Sequence, residues 1–363
     1  MSPIEDLSTP AVLIDLDVLE ANIARQAQRA RRAGVKLRPH GKTHKIPEVG
    51  RMQLASGASG LTLAKTGEAE VFAGAGFDDL FLAYPIVGAD KARRLLALSD
   101  RVRLRVGADS REGAATLSRV FHDAGRRLEV LLKIDVGAHR VGVLPDRAAE
   151  TARLLGDLPG IALVGVFTHA GQAYHEDAVE GVARVGRREG EVLAETAGAL
   201  RKEGFSIAEV SVGSTPTAPH VLGVPGVTEC RPGNYVYHDA SQVSLGTCAR
   251  ADCAMTVLAT VVSAPAPGRA VLDAGSKTLS SDPLRPRAGG HGLVLGGSSY
   301  LSGLSEEHGV VAVAPGDAFR VGQRVRVLPN HACVVSNLHD RVTAVRGGRV
   351  EAVWTVAARG RVD

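Results

Sequence analysis

The amino-acid sequence predicts an α/β protein, with a TIM-like (β/α)8 barrel followed by a C-terminal antiparallel β domain. From Val12 to about Tyr235, short apolar runs alternate with longer amphipathic stretches of helical period, which is typical of parallel strands joined by helical crossovers. After about Gly246, short strands separated by Gly and Pro follow one another without a long helical pattern. The chain has 363 residues, which is enough for both parts because a single barrel commonly takes about 250 residues.

The candidate barrel strands are apolar runs spaced along the first part of the chain. In order they read VLI, VKLRP, GLTLA, DLFLA, RVRLRV, LEVLLKID, IALVGVFTH and IAEVSVG. Helical patterns separate most of them, including those from Ala89 to Leu98 and from Glu176 to Glu203. Polar residues follow several of the runs, and in a barrel the carboxyl ends of the strands form the catalytic face. We therefore expect the functional site at that face.

The change of texture near Gly246 sets the predicted domain boundary. We place the barrel at residues 12–245 and the β domain at residues 246–363, to which we add residues 1–11. The runs of the second part, such as MTVLATVVS, GLVLGG and RVRVLP, are short and bounded by turn residues, as expected for antiparallel strands.

Composition and charge exclude several classes of protein. Hydrophobic residues make up 45% and charged residues 23%, as in ordinary folded, soluble domains. The net charge is +4, and the densest basic stretch, Arg25 to Arg32, has no interleaved aromatic residues, so no nucleic-acid partner is expected. No apolar run approaches the roughly 18 residues of a membrane span, and Met1 to Leu7 is unlike a signal peptide. We expect a cytoplasmic protein that does not bind membranes, with its four cysteines reduced.

A lysine in a strongly basic segment follows the second predicted strand. The segment runs from Arg38 to Lys45 and reads RPHGKTHK, with Lys42 at its centre. A lysine held among other cations at a barrel mouth has a lowered pKa, and its amine can then form an imine with an aldehyde. The local pattern alone also fits a surface lysine in a basic loop.

Two small-residue turns follow the last predicted barrel strands. They are Gly213-Ser214-Thr215 and Gly233-Asn234-Tyr235, and backbone amides and hydroxyls in such turns can surround a phosphate group. Most turns of this kind bind nothing, but phosphate sites recur at the late strands of barrels. Nearby, His175 closes the segment FTHAGQAYH and is either a general base or a loop histidine.

The segment Pro329-Asn330-His331-Ala332-Cys333 is a candidate metal site in the β domain. If this segment is a strand, residues two apart point to the same face, so the His331 imidazole and the Cys333 sulfur can bind one ion. Imidazole with thiolate favours zinc, and two protein ligands leave positions open for substrate and water. A pair of buried side chains without a metal is the alternative.

With these motifs in view, the chain resembles the D-serine dehydratase and D-threonine aldolase family, within the fold-type III pyridoxal-phosphate (PLP) enzymes that include alanine racemase. The resemblance extends from Ser8-Thr9-Pro10 to the His331 region. It implies that Lys42 holds PLP as a Schiff base and removes the α proton. It also implies a divalent metal, Zn²⁺ or another such as Mn²⁺, at His331 and Cys333.

The resemblance assigns further contacts to the cofactor. It implies Arg140 at the phenolic oxygen of PLP, although an ion pair between Arg140 and Asp135, or another carboxylate at the end of the barrel, is the alternative. It places His169 near the ring, and either Tyr174 or Arg231 at the pyridine nitrogen. The remaining expected cofactor contacts are Ser214, Thr215, Gly233, Asn234 and Tyr235.

The implied reaction is a metal-assisted lyase reaction on a D-3-hydroxy amino acid. The preferred reading is D-serine dehydratase-type β-elimination to a 2-oxo acid and ammonia, because dehydratase members carry His-x-Cys where aldolases can carry an aspartate. The alternative is D-threonine aldolase-type cleavage to glycine and an aldehyde, with His175 as a possible assisting group. A racemase and a non-enzymatic PLP carrier are less favoured, because neither uses the His331 and Cys333 pair. The family also implies a homodimer.

Overall fold

The computed structural model describes residues 2–284 and 290–363. The strands of the first part of the chain are β1 (Ala11–Asp15), β2 (Lys36–Leu37), β3 (Leu61–Leu63), β4 (Asp79–Pro85), β5 (Arg103–Ala108), β6 (Leu128–Lys133), β7 (Ile161–Phe167), β8 (Glu209–Val212) and β9 (Glu229–Cys230). The helices are α1 (Leu16–Arg32), α2 (Pro47–Ala55), α3 (Thr66–Gly74), α4 (Ala89–Leu98), α5 (Arg111–Asp123), α6 (Ala148–Gly156), α7 (Val179–Lys202), α8 (Ala218–Val221) and α9 (Ala240–Ser244).

The second part of the chain is rich in strands. They are β10 (Met255–Ala266), β11 (Arg269–Leu272), β12 (Gly292–Val294), β13 (Tyr300–Leu304), β14 (Gly309–Ala312), β15 (Arg324–Pro329), β16 (Arg341–Arg346) and β17 (Arg349–Thr355). Two short helices, α10 (Ser276–Leu279) and α11 (Ala332–Leu338), interrupt them.

Strands β2 to β9 form a parallel barrel, which confirms the predicted fold class. Within the described ranges these eight strands pair in the order β2-β9-β8-β7-β6-β5-β4-β3. A parallel bridge between His40 and Thr62 joins β2 to β3 and closes the ring. All their carboxyl ends therefore meet at one face, as the barrel geometry requires.

Amphipathic helices surround the barrel. Helix α5 shows how the sequence sets one of them: the Ser110 hydroxyl accepts a hydrogen bond from the Gly113 amide and caps the first turn. Ala114, Leu117 and Phe121 then follow at helical spacing and are buried against the strands. None of the helices in the described part of the chain is long and apolar enough to cross a membrane.

The run VLI lies in the second sheet and not in the barrel, so its expected place as a barrel strand is wrong. It forms β1, which pairs antiparallel with β10 (Leu13 with Thr256) and parallel with β16 (Leu13 with Thr343). A strand buried on both faces reads the same in either sheet, and Val12, Leu13 and Ile14 are all buried. The barrel is completed instead by β9, whose two residues are too few to form an apolar run.

The second domain is a mainly antiparallel sheet, as predicted. As far as the chain is described, this sheet has nine strands in the order β11-β14-β13-β12-β15-β10-β1-β16-β17. An additional pairing between β10 and β11 closes the strands from β11 to β10 into a ring. Because β1 belongs to this sheet, the amino-terminal segment and the C-terminal domain share one core.

A buried ion-pair network crosses the barrel interior below the catalytic face. Glu229 on β9 accepts hydrogen bonds from Arg38 Nε at 2.7 Å and from the Ser211 hydroxyl at 2.6 Å. Arg38 and Arg105 both also bind the Asp79 carboxylate. Burial alone raises the pKa of the Glu229 carboxyl, but Arg38 reverses this and lowers the pKa overall. Glu229 is therefore a charged group whose partners must remain in place.

Removing this buried charge is expected to destabilise the barrel. Glu229→Gln leaves Arg38 without its closest carboxylate, and the free energy of unfolding should fall by about 3 kcal/mol, the lower part of the range for breaking a buried ion pair. Glu150→Gln is the matched control, because Glu150 pairs with Arg147 on the exposed surface and should change stability by less than about 1 kcal/mol. Denaturant unfolding measures both; equal effects would contradict the assignment.

Candidate active site

A cavity of about 700 Å³ lies at the carboxyl ends of the barrel strands, between the two domains. Most of the predicted site residues line it: Lys42, Arg140, His169, Tyr174, Ser214, Thr215, Gly233, Asn234, His331 and Cys333. Among the described residues, the lining does not include His175 or Tyr235. The structure thus brings the two halves of the predicted site together from the two domains.

Lys42 lies on a single-turn helix, Gly41–Thr43, that follows β2. Its backbone amide donates to His40 Nδ1 at 3.4 Å, which helps to hold the turn against the end of the strand. Enclosure in the cavity lowers the pKa of the Lys42 amine, and Arg140 and Arg231 lower it further, while Cys333 opposes the change. This environment favours a neutral, nucleophilic amine. In contrast, Lys45 is bound to Glu68 and Asn337.

Several basic side chains share the cavity with Lys42. Lys133, Arg140 and Arg231 line it, together with His169. Burial lowers the pKa of Lys133 far below its usual value, and the neighbouring Arg231 adds to that effect. Burial also lowers the pKa of His169, with Lys42 as the next largest cause, so this imidazole is neutral. A cavity with this charge fits a ligand that carries phosphate, phenolate or carboxylate groups.

The Arg140 side chain lines the cavity, and within the described residues no ion pair joins it to Asp135. The Asp135 carboxylate instead binds His139 Nδ1 at 3.2 Å and the Gly137 amide at 2.9 Å. The predicted alternative for Arg140, an ion pair with Asp135, is therefore wrong. Arg140 lines the cavity, and its contact with the phenolic oxygen stays a prediction.

Tyr174 and Arg231, the two candidates for the pyridine nitrogen, both line the cavity. Arg231 is buried and donates to the Ser211 hydroxyl and to the Thr168 carbonyl oxygen, each at 2.5 Å. Burial raises the pKa of the Tyr174 phenol, so it is neutral. Arg231 is thus a fixed cation and Tyr174 a neutral hydroxyl, and which of them meets the ring stays a prediction.

The turn after β8 is the first part of the predicted phosphate cradle, although its Ser214 amide already donates to the Thr217 hydroxyl. Gly213 has φ +114°, and a Cβ atom there would lie 2.9 Å from the Cys230 sulfur. Only glycine fits this backbone without strain. The Gly213 amide donates to Glu189 at 3.0 Å, and the Ser214 and Thr217 hydroxyls are 2.9 Å apart. This leaves Ser214 at the edge of the cavity.

The turn after β9 adds the second part of the cradle. A Cβ atom on Gly233 would lie 2.8 Å from the Thr43 hydroxyl, so the turn packs closely beside Lys42. Asn234 donates to Asp239 at 2.5 Å, while its buried Oδ1 has no hydrogen-bond partner among the described residues. Tyr235 turns away: its hydroxyl accepts from Gln53, and only its amide, which donates to Thr215, faces the cradle.

His331 and Cys333 face the cavity together, but not on a strand as predicted. Cys333 lies in the first turn of α11, and His331 immediately precedes that helix. Side chains two apart within a helix do not face each other, so the pair converges only because His331 has extended backbone torsions, φ −143° and ψ 96°. The Cys333 thiol is 3.3 Å from the Thr43 hydroxyl, which links it to the Lys42 turn.

The chemistry of this pair suits a divalent metal. Burial raises the pKa of the Cys333 thiol, but contact with His331 outweighs it and lowers the pKa overall. His331 Nδ1 is 2.7 Å from Asp282, an arrangement that fixes the ring and leaves the other nitrogen for a ligand. Over residues 2–284 and 290–363, no group of three His, Cys, Asp or Glu side chains could hold a metal. A metal here would keep positions open for substrate and water.

His175 is exposed at the end of the single-turn helix Gly171–His175. In the described part of the chain it does not line the cavity. The structure therefore does not place the His175 imidazole in the cavity that contains Lys42.

Replacing His175 tests whether it is a base. His175→Ala should leave kcat within about 3-fold of the unmodified enzyme, because loss of a general base commonly costs about 10² to 10⁴-fold. His169→Ala is the comparison, since that imidazole lines the cavity. Steady-state rates on the preferred substrate measure both; a loss of 100-fold for His175→Ala would restore its role as a base.

Several lining residues had no assigned role at the level of sequence. They are His40, Lys133, Asp239, Gln242 and Asp282. Lys133 ends β6, and its position at a strand end is a signal that could have identified it. Asp239 and Asp282 lie in irregular segments between the domains, where no periodic pattern indicates the direction of a side chain.

Comparison with known proteins places this geometry among characterised relatives. The model of the alanine racemase N-terminal domain matches residues 14–241, and that of a putative serine dehydratase domain matches residues 254–345. The chain is 39% identical to D-threo-3-hydroxyaspartate dehydratase from Delftia sp. strain HT23, over 98% of this chain and 96% of the relative. It is 34% identical to D-threonine aldolase from Arthrobacter sp., over 99% of this chain and 94% of the relative.

A solved structure points to a metal in a relative. A cysteine-to-alanine mutant of D-threo-3-hydroxyaspartate dehydratase in the metal-free form has a TM-score of 0.91 and 37% identity to this chain, and the match covers 98% of this chain and 99% of that chain.

Proposed function

The chain belongs to the D-serine dehydratase and D-threonine aldolase family of alanine-racemase-like enzymes, and on this premise we propose that it is a PLP- and metal-dependent lyase that eliminates water from a D-3-hydroxy amino acid. The products are a 2-oxo acid and ammonia. The observation that carries the proposal is the approach of two chemical groups from two domains. Lys42 enters one cavity from the barrel, while His331 and Cys333 enter it from the β domain.

The residues present fit PLP. Bound there, the cofactor supplies an aldehyde that a lysine can hold and a ring that withdraws electrons from a bond at Cα. Lys42 would hold it covalently, since it has the enclosed amine with a lowered pKa. Ser214, Thr215, Gly233 and Asn234 would surround its phosphate.

The chain's own groups also orient the substrate and move its proton. The cations around Lys42 favour an amino acid whose carboxylate enters the same cavity. With its lowered pKa, the Lys42 amine can accept the proton from Cα at neutral pH. Tyr174 and His169 are neutral, so they can contact the cofactor without adding charge.

His331 and Cys333 would hold the metal, for which we propose zinc because imidazole and thiolate are ligands that it prefers. A divalent ion there would act as a Lewis acid on the substrate's β-hydroxyl and make it a better leaving group. Asp282 supports this role because it binds the outer nitrogen of His331. The cysteine at position 333 favours elimination, since the resemblance assigns His-x-Cys to dehydratases.

Retro-aldol cleavage to glycine and an aldehyde is the second candidate. The 34% identity to D-threonine aldolase favours it. It requires a base for the β-hydroxyl proton, and His175, the residue expected to assist, is exposed and does not contribute to the described lining of the cavity. Elimination needs only the Lys42 amine and the metal ligands, all of which face the cavity.

Product analysis separates the two reactions. The purified protein with PLP and zinc is incubated separately with D-serine, D-threonine and D-threo-3-hydroxyaspartate, and ammonia with 2-oxo acid is assayed against glycine with aldehyde. We expect ammonia and 2-oxo acid in equal amounts from at least one substrate. Glycine from D-threonine without ammonia from any substrate would establish the aldolase instead, and activity on L-isomers alone would contradict both.

We further propose a cytoplasmic homodimer. The family resemblance supports this proposal. Light scattering of the purified holoenzyme tests the oligomeric state.

A further inference from the structure

A pair of cysteines lies outside the cavity, where the barrel joins the β domain. Cys248 and Cys253 flank the single-turn helix Arg250–Asp252, five residues apart along the chain. Both pack in one apolar cluster that includes Leu328 and Val243. Neither belongs to the described lining of the active-site cavity. The proposed reaction uses neither of them.

The surroundings of the two thiols differ. Cys253 is buried, and its thiol donates to the Ala249 carbonyl oxygen at 3.8 Å. Cys248 is partly exposed and contacts the side chain of His238 as well as Cys253. His238 is only 8% exposed, has φ +49°, and within the described chain its Nδ1 has no hydrogen-bond partner. A buried imidazole is thus held beside the accessible sulfur.

These contacts make Cys248 the more reactive thiol. The neighbouring Cys253 is the largest cause that lowers the pKa of Cys248, to about 6, and His238 acts in the same direction. Cys248 in turn raises the pKa of Cys253, and burial adds to the rise. One thiolate that reaches solvent, backed by one protonated thiol, is the arrangement of an attacking and a resolving cysteine.

We propose that Cys248 and Cys253 form a reversible thiol–disulfide pair that reacts with small disulfides such as glutathione disulfide. The Cys248 thiolate attacks one sulfur of glutathione disulfide; the S–S bond breaks, and one glutathione leaves and takes up a proton. Cys253 then loses its proton and attacks the Cys248 sulfur, which releases the second glutathione. Two protein thiols are oxidised and one glutathione disulfide is reduced to two thiols.

A metal shared by the two thiols is a weaker reading of the same cluster. Apolar side chains, including Leu328 and Val243, pack around the pair, and His238 is the nearest imidazole. Within the described residues, however, no group of three His, Cys, Asp or Glu side chains could hold a metal. The active-site cavity, which could supply water or substrate as ligands, does not reach the pair in the described structure. Covalent chemistry between the two sulfurs needs neither.

His238, which lies beside the pair, directly precedes a carboxylate that orders the cavity. Asp239 follows His238 and accepts hydrogen bonds from Asn234, from the Gln242 amide and from the Ala332 amide. It therefore ties the cradle turn to the start of α11, which carries Cys333. Oxidation of Cys248 and Cys253 would therefore occur close to the carboxylate that holds these two segments together.

Peptide mapping tests the proposal directly. The PLP- and zinc-loaded protein is equilibrated with mixtures of reduced and oxidised glutathione, alkylated, and digested with trypsin without reduction. Trypsin cleaves after Arg250, so Cys248 and Cys253 fall on separate peptides that stay joined only by a disulfide. We expect the joined peptide to increase with the oxidised fraction and to disappear on reduction.

Single variants test the order of the two attacks. In Cys253→Ser, glutathione should remain attached to Cys248, whereas Cys248→Ser should carry no adduct at Cys253. Cys230→Ser is the control, because burial raises the pKa of the Cys230 thiol and removing it should leave the joined peptide unchanged. The proposal is overturned if the unmodified protein gives no joined peptide in any mixture, or if glutathione stays on its Cys248 without ring closure.

Discussion

Lys42→Ala is expected to lower turnover of the preferred D-3-hydroxy amino acid by about 10³-fold or more. One side chain is assigned both the covalent link to the cofactor and the removal of the α proton, and loss of a positioned base alone commonly costs about 10² to 10⁴-fold. The variant should also lose the visible absorption of lysine-linked PLP. Steady-state kinetics and absorption spectra measure the two effects, and partial rescue by an added primary amine is expected.

A neighbouring lysine provides the matched control for Lys42. Lys65 follows β3 at the same end of the barrel, and its amine lies 4.5 Å from the centre of the Tyr84 ring. It does not contribute to the described lining of the cavity. Lys65→Ala should therefore keep the cofactor absorption and change kcat by less than about 3-fold. Retention of both absorption and activity in Lys42→Ala would contradict the assignment of the cofactor lysine.

The barrel could be predicted because its strands are separated by helices of clear period. The errors occur in strands whose burial removes the alternation of apolar and polar residues. Val12 to Ile14 are buried on both faces, and such a run has no feature that tells a barrel strand from a strand in the second sheet. The last barrel strand, Glu229–Cys230, was missed because its two residues form no apolar run and one of them is a glutamate buried for an ion pair. Only the three-dimensional network with Arg38 accounts for that residue.

Both halves of the site, the Lys42 turn and the pair of His331 and Cys333, could be predicted, but the local structure of the second half was predicted wrongly. Lys42 was found through the family resemblance, because its basic segment at the end of a strand also fits a lysine in a surface loop. The resemblance also identified the His331 and Cys333 pair, but the strand expected to bring the two side chains together is wrong, since Cys333 lies in the first turn of a helix. What brings the two together is a change of backbone torsion between them, which spacing does not reveal. Asp282, which fixes the His331 ring, is 49 residues away along the chain, so local sequence does not indicate it.

The metal pair is the second place where a large effect is expected. Cys333→Ala and His331→Ala should each lower kcat for β-elimination by more than about 100-fold, since changing even an outer partner of a metal ligand can cost about 10 to 100-fold. Treatment of the unmodified enzyme with a chelator should cause a similar loss, and added zinc should restore the rate. In the two variants, added zinc should not restore it.

Metal content distinguishes a lost ligand from a damaged fold. Metal analysis of Cys333→Ala should show less than the unmodified protein, while denaturant unfolding of the metal-free proteins should agree within about 1 kcal/mol, because this sulfur lines a cavity and not the core. Asp282→Asn should give an intermediate loss of metal affinity, about 10 to 100-fold, because it affects only the outer nitrogen of His331. Full elimination activity in a chelated enzyme free of metal would show that His331 and Cys333 act as an ion pair with no metal role.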